Sequence, residues 1–236
     1  MKPIEYLFRQ MELEGIQRLA GDLIARRSPD AEDIPLVLLA RTSDGQSLVC
    51  YDASLPAGLR DQLPRHDLES FKTDSAKESF EKSGIHTTIN HYKTYVFPED
   101  LDIANAGDVG CYSRGDPKVA AFGFNGLADN VYAIEQGGAI LSACVSSRQN
   151  AVSAEAWVFT HPDHRRKGLA QRAVMAWALN LLRDGITPYY SHNVENTNSA
   201  LLARRLNLIH VFDEIVVEKV PEQRPPATTA ADGRVR

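Results

Sequence analysis

One segment of the sequence limits the possible folds more than any other, namely VFTHPDHRRKGLAQRAVMAWALNLL, which runs from Val158 to Leu182. The pattern is that of an apolar strand end, a polar turn with one glycine, and a long helix. Two adjacent apolar stripes recur at helical spacing: Leu169, Ala173, Trp177 and Leu181, and Ala170, Val174, Ala178 and Leu182. Such a broad apolar face can cover a sheet, so the segment predicts an α/β fold in which this helix packs on strands.

The sequence on either side of this helix supplies candidate strands. NVYAIEQ and AILSACVSS flank Gly137-Gly138, a typical hairpin turn, and SAEAWVFT follows them. Three antiparallel strands are therefore predicted to lead into the helix. After it come a strand candidate, a helix candidate and the last strands, namely TPYYSH, ENTNSALLARRLNL and LIHVFDEIVVEKV.

The first part of the chain has a mixed α/β pattern and no catalytic motif. Its candidate helices are IEYLFRQMELEGIQRLAGDLIARR, in which Gly15 and Gly21 weaken or break the spacing, AGLRDQLPRHDLESF and DSAKESFEKSG. Its candidate strands are PLVLLAR and SLVCYDA, joined by a hairpin turn, and HYKTYVFPEDL, which Pro98 ends. We therefore predict an N-terminal α/β subdomain over 1–92, a second domain over 93–220, and a disordered Pro- and Ala-rich tail over 221–236.

Composition narrows the class of protein further. The net charge of −5 over 236 residues gives no basic face for nucleic acid. No apolar run approaches the roughly 20 residues of a membrane span, and the first residues lack the layout of a signal peptide. The three cysteines, Cys50, Cys111 and Cys144, are far apart and form no CxxC pair, which is typical of a reducing compartment. We expect a soluble, cytoplasmic protein that binds neither nucleic acid nor membrane; its oligomeric state is not indicated.

The turn before the long helix has the properties of an anion site. The start of a helix presents unpaired N–H groups and roughly half a positive charge. Gly168 would let a ligand approach the backbone closely, and Arg165, Arg166 and Lys167 add charge around it. These features favour a pyrophosphate group. The spacing differs from the phosphate-binding GxxxxGK[ST] and GxGxxG motifs, which makes ATP and NAD poor candidates.

Two blocks of sequence carry a resemblance to a known family. Residues 165–170, RRKGLA, match the [Q/R]-x-x-G-x-[G/A] signature of the GNAT superfamily of acyl-CoA-dependent N-acyltransferases. Residues 196–208, NTNSALLARRLNL, resemble a second GNAT block, N-x-x-S-x-x-x-A-x-x-L-G-[LF]. The resemblance spans about Val131 to Val217. It implies a mixed, mostly antiparallel sheet flanked by helices, acetyl-CoA as co-substrate without a metal, and acyl transfer to a small-molecule or peptide amine.

The resemblance also implies which residues hold the co-substrate. The backbone of Val158, Phe159 and Thr160 would bind the pantetheine arm in the manner of an added strand. The residues that would cradle the pyrophosphate are Arg165, Arg166, Lys167, Gly168, Leu169 and Ala170. Asn196, Asn198 and Ser199 would border the co-substrate. For Asn196 and Ser199 helix capping is an equally good explanation.

The catalytic residues are less clearly indicated. By the resemblance, an N–H near Val158 or Phe159 would stabilise the developing oxyanion. Glu155 on the same predicted strand is the first candidate for the general base, and Glu135 is the second. By strand alternation Glu155 shares a face with Trp157 and Phe159.

The usual general acid of the family is missing. Ala203 stands where many members have a tyrosine, so we assign the role to Tyr190, with Tyr189 and His192 as neighbours. Packing in the strand is the better explanation of these tyrosines from the sequence alone. The absence of the usual tyrosine keeps two alternatives open: a non-catalytic acyl-CoA-binding module, and a protein-interaction module on a GNAT scaffold.

Overall fold

A computed structural model of the chain describes residues 1–28, 34–63, 68–99, 101, 108–124 and 130–220. The tail predicted to be disordered, 221–236, lies outside the described residues. Within them the helices are α1 (Pro3–Leu13), α2 (Ala57–Arg60), α3 (Thr73–Lys82), α4 (Pro117–Phe122), α5 (Leu169–Arg183) and α6 (Thr197–Arg205). In this part of the chain no helix has the length and apolarity that crossing a membrane requires.

The strands of the described residues form one sheet. They are β1 (Ile16–Arg18), β2 (Leu23–Arg26), β3 (Val37–Thr42), β4 (Ser47–Asp52), β5 (Thr87–Val96), β6 (Gly110–Ser113), β7 (Asn130–Gln136), β8 (Ala139–Gln149), β9 (Ser153–Thr160), β10 (Thr187–Asn193) and β11 (Ile209–Lys219). The order across the sheet is β1-β2-β4-β3-β11-β5-β10-β9-β8-β7-β6. Only the pairs β2–β4 and β9–β10 are parallel. The predicted mixed, mostly antiparallel sheet is confirmed.

Helix α5 covers the C-terminal part of the sheet as its pattern predicts. Its buried residues are Ala173, Val174, Met175, Trp177, Ala178 and Leu181. They pack with strand residues such as Cys144 and Ala154 in one apolar core. The indole N–H of Trp177 donates to Ser146 Oγ at 3.0 Å, which pairs the buried donor. The same core takes in Ala203 and Leu206, so the position of α6 is set by contact with α5.

Helix α1 covers the other face of the sheet, and it is shorter than the sequence predicts. It ends at Leu13, and the following residues form β1 and β2 as an antiparallel pair. The prediction that the helical pattern continues through Ile16 and Leu23 is therefore wrong. Gly15 adopts a positive φ of 75°, a conformation outside the helical region. Ile16 and Ile24 become buried as strand residues, so burial in the sheet outweighs the helical spacing.

Other predicted elements have mixed outcomes. The hairpin of β3 and β4, the helix α3 and the three strands β7, β8 and β9 agree with the predictions. The helix predicted in AGLRDQLPRHDLESF is observed only as α2, and its residues 64–67 lie outside the described chain. Strand β6 has no counterpart among the predicted elements.

The two predicted domains meet within a single sheet. The predicted boundary between residues 92 and 93 falls inside β5, which lies between β10 and β11 and pairs with both. On its other side β11 pairs with β3 of the N-terminal part. Strands from both parts of the chain therefore support the central region in which the candidate site lies.

The packing of α5 predicts a large effect for its central aromatic residue. Trp177→Ala should lower the free energy of unfolding by about 3–5 kcal/mol, because the side chain is fully buried and its loss leaves a cavity. Urea unfolding measures this change. Leu201→Ala, at a position 50% exposed on α6, is the control and should change stability by less than about 0.5 kcal/mol. Equal effects of the two substitutions would contradict this account of the core.

Candidate functional site

Strands β9 and β10 diverge, and the divergence creates an open strand edge. β10 pairs with β9 at three positions only, ending at Tyr189 opposite Glu155. β9 nevertheless stays paired with β8 up to Thr160, and β10 stays paired with β5 up to Asn193. Beyond Glu155, the side of β9 that faces β10 therefore has no strand partner among the described residues.

Hydrogen bonds show which residues of β9 face this gap. Val152 O accepts from Thr187 N on the β10 side at 2.9 Å, whereas His161 N donates to Leu141 O at the β8 end at 2.9 Å. Backbone groups along a strand point alternately to the two sides. The N–H and C=O of Val158 therefore face the gap, and those of Phe159 face β8. Of the two predicted oxyanion donors, the geometry favours Val158.

The turn that follows β9 has the backbone of an anion site. Gly168 immediately precedes α5 with a φ of 76°, and Arg166 also has a positive φ, of 63°. The side chains of Arg165, Arg166 and Lys167 are exposed. Within the described part of the chain, the N–H groups of Arg166, Lys167 and Gly168 donate no hydrogen bond. Leu169 and Ala170 begin the helix. Unpaired donors, basic side chains and the positive helix end meet here, as predicted.

Gly168 is required for its conformation rather than for lack of space. A Cβ at this position would have nothing within 4 Å, but a positive φ is strained for any residue with a side chain. The open space above the glycine also leaves the neighbouring backbone N–H groups accessible. The predicted close approach of a ligand to this turn is therefore sterically allowed.

Helix α6 begins beside the same gap. The side chain of Asn196 accepts from Ser199 N at 3.1 Å, so the capping role considered for Asn196 is confirmed. Asn198 is exposed. Asn207, which replaces the usual glycine of this block, adopts a φ of 50° after the helix. Asparagine tolerates this conformation, so the helix end is preserved.

Glu155 faces the opposite side of the sheet from α5. Its carboxylate accepts from Gln10 Nε2 of α1 and from Arg148 Nη1 of β8, each at 3.2 Å. Its side chain is 12% exposed and lines a cavity of about 210 Å³. The residues around this cavity are Glu14, Pro35, Tyr92, Arg148, Glu155, Ser191, Glu214, Val216 and Glu218.

The cavity is strongly acidic, and its carboxyl groups perturb one another. Burial, and then the charge of Glu155, raise the pKa of Glu14 to about 7. Burial also raises the pKa of Glu214 well above its usual value, and the charges of Glu14 and Glu155 add to the effect. Carboxyl groups perturbed in this way are typical of functional sites.

Sequence reasoning missed three of the four glutamates of this cavity. Glu14 follows α1, and Glu214 and Glu218 lie on β11, so no motif joins them to Glu155. The one available signal was Glu214 itself, a charged residue inside the apolar run VFDEIVVE. A buried acid in such a strand indicates a partner or a function.

Tyr190 lies on the α5 side of the sheet and is therefore not brought together with Glu155. Its hydroxyl points to Ser199 O at 3.5 Å, and burial raises its pKa to about 12. Tyr189 faces α1 instead and donates to Tyr6 O at 3.0 Å. His192 is buried and stacks on Tyr95 with ring centroids 5.6 Å apart. Ala203, at the position of the usual acid, is buried.

Glu135 has a different environment from Glu155. It accepts from Lys118 Nζ of α4 at 2.6 Å and from Tyr112 Oη of β6 at 2.8 Å. These two hydrogen bonds, that of Lys118 first, hold the pKa of Glu135 below its usual value. Glu135 also does not line the acidic cavity, whereas Glu155 does, so the geometry favours Glu155.

The sheet of this protein has a gap between two diverging strands. Comparison with known proteins shows which family the C-terminal part of the chain matches. Residues 130–213 match the family model described as GNAT acetyltransferase. The C-terminal part of the chain therefore matches the GNAT acetyltransferase family, and the resemblance predicted from its two sequence blocks is confirmed. No curated protein matches the chain.

Solved structures show a similar fold at low sequence identity. A candidate GNAT acetyltransferase from Novosphingobium aromaticivorans is 14% identical, with 90% of this chain and 94% of that chain covered and a TM-score of 0.50. A GNAT-family acetyltransferase from Colwellia psychrerythraea is 14% identical, with 78% and 81% covered and a TM-score of 0.47. A GCN5-related N-acetyltransferase-like protein from Streptococcus suis is 17% identical, with 63% and 69% covered and a TM-score of 0.46.

The raised pKa of Glu14 predicts a pH dependence of stability. Its pKa is about 7 in the folded protein and has a usual value of 4.5. A raised folded-state pKa stabilises the protein fully below the usual value, and that contribution is lost as the pH rises through about 7. Glu14→Gln removes this titration, so at pH 8 the variant should be more stable than the wild type by about 1–3 kcal/mol, with a smaller difference at pH 5.

Denaturant unfolding between pH 5 and pH 8.5 measures this difference. Glu12→Gln changes an exposed glutamate near the end of α1, two residues before Glu14, and is the matched control. Its unfolding free energy should follow that of the wild type at every pH. A constant difference between wild type and Glu14→Gln across the range would contradict the assignment.

Proposed function

We propose that the protein is an acetyl-CoA-dependent N-acetyltransferase that acts on an amine. The single observation that carries the proposal is the open edge of β9, which runs from Glu155 to a glycine turn with unpaired N–H groups. One end of this strand offers a base and the other end offers an anion site. All three cysteines are free, and the cytoplasm is the proposed compartment.

The residues along this edge fit coenzyme A. The backbone groups of Val158 and the N–H of Thr160 face the gap, so the amides of a pantetheine arm can add to β9 as a strand would, while Thr160 O accepts from Arg165 Nε at 3.3 Å. The N–H groups from Arg166 to Gly168 lie at the start of α5, where a pyrophosphate is stabilised by the helix dipole. Asn198 and Ser199 border the same gap from the side of α6.

The acidic cavity fits the amine acceptor. It opens on the face of the sheet opposite to α5, and Glu155 lies in its wall. An acceptor that enters this cavity reaches β9 where the strand begins to separate from β10. Acceptor and acetyl-CoA thus approach the same strand from different directions.

The chemistry follows from these positions. Acetyl-CoA, when bound, supplies an acetyl group activated as a thioester. Glu155 removes a proton from the acceptor ammonium, which frees the nitrogen lone pair. The nitrogen forms a bond to the acetyl carbon as the carbon–sulfur bond breaks. The N–H of Val158 donates to the carbonyl oxygen while negative charge develops on it.

The leaving sulfur needs a proton, and Tyr190 is the proposed donor. Its hydroxyl is protonated at neutral pH, and the burial that raises its pKa to about 12 makes it a weaker acid than an exposed tyrosine. Tyr190 is on β10 at the gap and packs in the same core as Ala203, where other members have their tyrosine. The second proton lost by the amine nitrogen restores the hydroxyl, so the net products are an amide, a free thiol and one proton.

Acetyl-CoA should stabilise the full-length protein against heat. At about 100 times its dissociation constant, a ligand that binds only the folded state adds about 2.7 kcal/mol, or about 5–10 °C for a chain of this size. Arg166→Asn should reduce this rise without changing the midpoint of the free protein, because asparagine also tolerates a positive φ. Thermal unfolding with and without acetyl-CoA measures both effects.

Arg183→Gln, at the other end of α5, is the control for loss of one positive charge and should keep the full rise. Gly168 is unsuited to this test, because a side chain at its φ of 76° would itself destabilise the protein by about 1–2 kcal/mol. No rise at millimolar acetyl-CoA would overturn the proposed co-substrate site.

Glu155→Gln should lower turnover by about 10²–10⁴-fold, because the variant has no base for the ammonium proton. Tyr190→Phe should lower turnover for lack of the proton donor. In both variants the thermal shift with acetyl-CoA should stay close to that of the wild type. Release of free thiol from acetyl-CoA in the presence of a panel of primary amines measures turnover.

Glu135→Gln, which changes the second candidate base, is the matched control and should leave turnover within about threefold of the wild type. Wild-type turnover in Glu155→Gln and Tyr190→Phe would refute both assignments. If the wild type binds acetyl-CoA but acetylates no amine, the alternative of a non-catalytic acyl-CoA-binding module would replace the proposal.

A further inference from the structure

The acidic cavity contains more negative groups than acetyl transfer to a simple amine requires. Its four glutamates face one guanidinium, that of Arg148, which bonds to Glu155. Gln10 Nε2 donates to Glu14 Oε1 at 3.1 Å, and Asn90 Nδ2 donates to Glu218 at 3.2 Å. Glu214, only 4% exposed, has no hydrogen bond or ion pair with any described residue. A carboxyl group that lines a cavity without a partner is accessible to a ligand in that cavity.

The polar side-chain atoms around the cavity that lack a hydrogen-bond partner among the described residues are oxygen acceptors. Gln10 Oε1 is buried without a partner among the described residues, and the carboxyl of Glu214 lies on the wall of the cavity. Gln10 is 1% exposed, and its Nε2 is already shared between Glu14 and Glu155. An alkylammonium group suits this cavity, because it supplies three N–H donors to these oxygens and its positive charge favours the ionised forms of Glu14 and Glu214.

The positions of the acids indicate more than one positive charge in the ligand. Glu155 lies on β9, and Glu214 and Glu218 lie on β11, with β10 and β5 between these strands. The carboxyl groups therefore enter the one cavity from strands that are not neighbours, and a ligand with two separated positive charges can pair with both sets. A divalent metal is disfavoured, because no three His, Cys, Asp or Glu residues of the described chain are grouped as metal ligands.

We propose that the acceptor is an aliphatic amine with a second cationic group. The reacting ammonium pairs with Glu155, and the second ammonium pairs with Glu214 and Glu218 across the cavity of about 210 Å³. The acetylation of this amine rests on the proposed function, whereas its binding does not. The side chains of Tyr92 and Val216 provide apolar surface for the carbon chain between the charges.

Binding of such a ligand should release protons. The titratable and charged groups that face the cavity are Glu14 of the α1 end, Tyr92 of β5, Arg148 of β8, Glu155 of β9, and Glu214 and Glu218 of β11. The pKa of Glu14 is about 7 in the free protein, and a bound cation lowers it. The carboxyl groups then lose protons on binding, so affinity should increase as the pH rises from 6 to 8.

The direct test is titration calorimetry on the full-length chain with three probes of equal length: 1,6-diaminohexane, n-hexylamine and 1,6-hexanediol. We expect the diamine to bind at least about tenfold more tightly than the monoamine, and the diol not to bind. The heat of diamine binding should differ between phosphate and Tris buffers, because the released protons are taken up by the buffer. Equal affinities for the diamine and the monoamine would overturn the proposal.

Two variants locate the second ammonium. Glu214→Gln and Glu218→Gln should each reduce the preference for the diamine over the monoamine, whereas Glu12→Gln, an exposed charge outside the cavity, should retain it. Glu218 is exposed, so its variant keeps the test valid even if Glu214→Gln unfolds. A preference that survives in Glu218→Gln and in folded Glu214→Gln would refute the assignment.

Failure of this inference is distinguishable from failure of the proposed function. If acetyl-CoA binds and both amines are acetylated with equal kcat/KM, the acetyltransferase function holds and the diamine proposal is wrong. If the diamine binds with the expected preference but is not acetylated, the cavity assignment holds and the proposed function is wrong.

Discussion

The contact between the apolar face of α5 and the strands β7–β10 is the interaction on which the site depends. Trp177 and its neighbours pack against Cys144 and Ala154, which fixes the start of the helix at the end of β9. The start of the helix thereby becomes the end of the open strand edge. Because α6 packs on α5 through Ala203 and Leu206, the same core also sets the second wall of the gap. A rigid apolar layer thus positions polar backbone groups that have no partner of their own.

Strand β9 joins two regions of opposite charge. Its C-terminal end leads to Arg165, Arg166 and Lys167, while Glu155 near its start is one of the four glutamates around the cavity. The net charge of −5 belongs to the whole chain and does not give the local charge of either region. In our proposal the anionic co-substrate binds at one end of the strand and the cationic acceptor at the other, so the two do not compete for one site. A few residues of extended backbone in β9 separate the basic turn from the acidic cavity.

The N-terminal part of the chain takes part in this arrangement through the sheet and through α1. Gln10 reaches Glu155 from α1, and Glu14 closes the cavity at the end of that helix. β5 lies between β10 and β11, so Tyr92 also reaches the cavity. In our proposal the N-terminal part of the chain therefore supplies groups that recognise the acceptor, in addition to its contribution to the sheet.

The sequence by itself determined the features that are local along the chain. The stripes of α5, the hairpin at Gly137-Gly138 and the glycine turn at Gly168 depend on residues close in sequence, and each is observed. The tertiary structure alone decided the rest. The end of α1 at Leu13, the burial of Ile16 in a strand and the meeting of Glu14, Glu155 and Glu214 depend on contacts between residues far apart in the chain. Periodicity records which face of an element is apolar, but not which distant element will cover it, and so it could not place an acid from β11 beside one from β9.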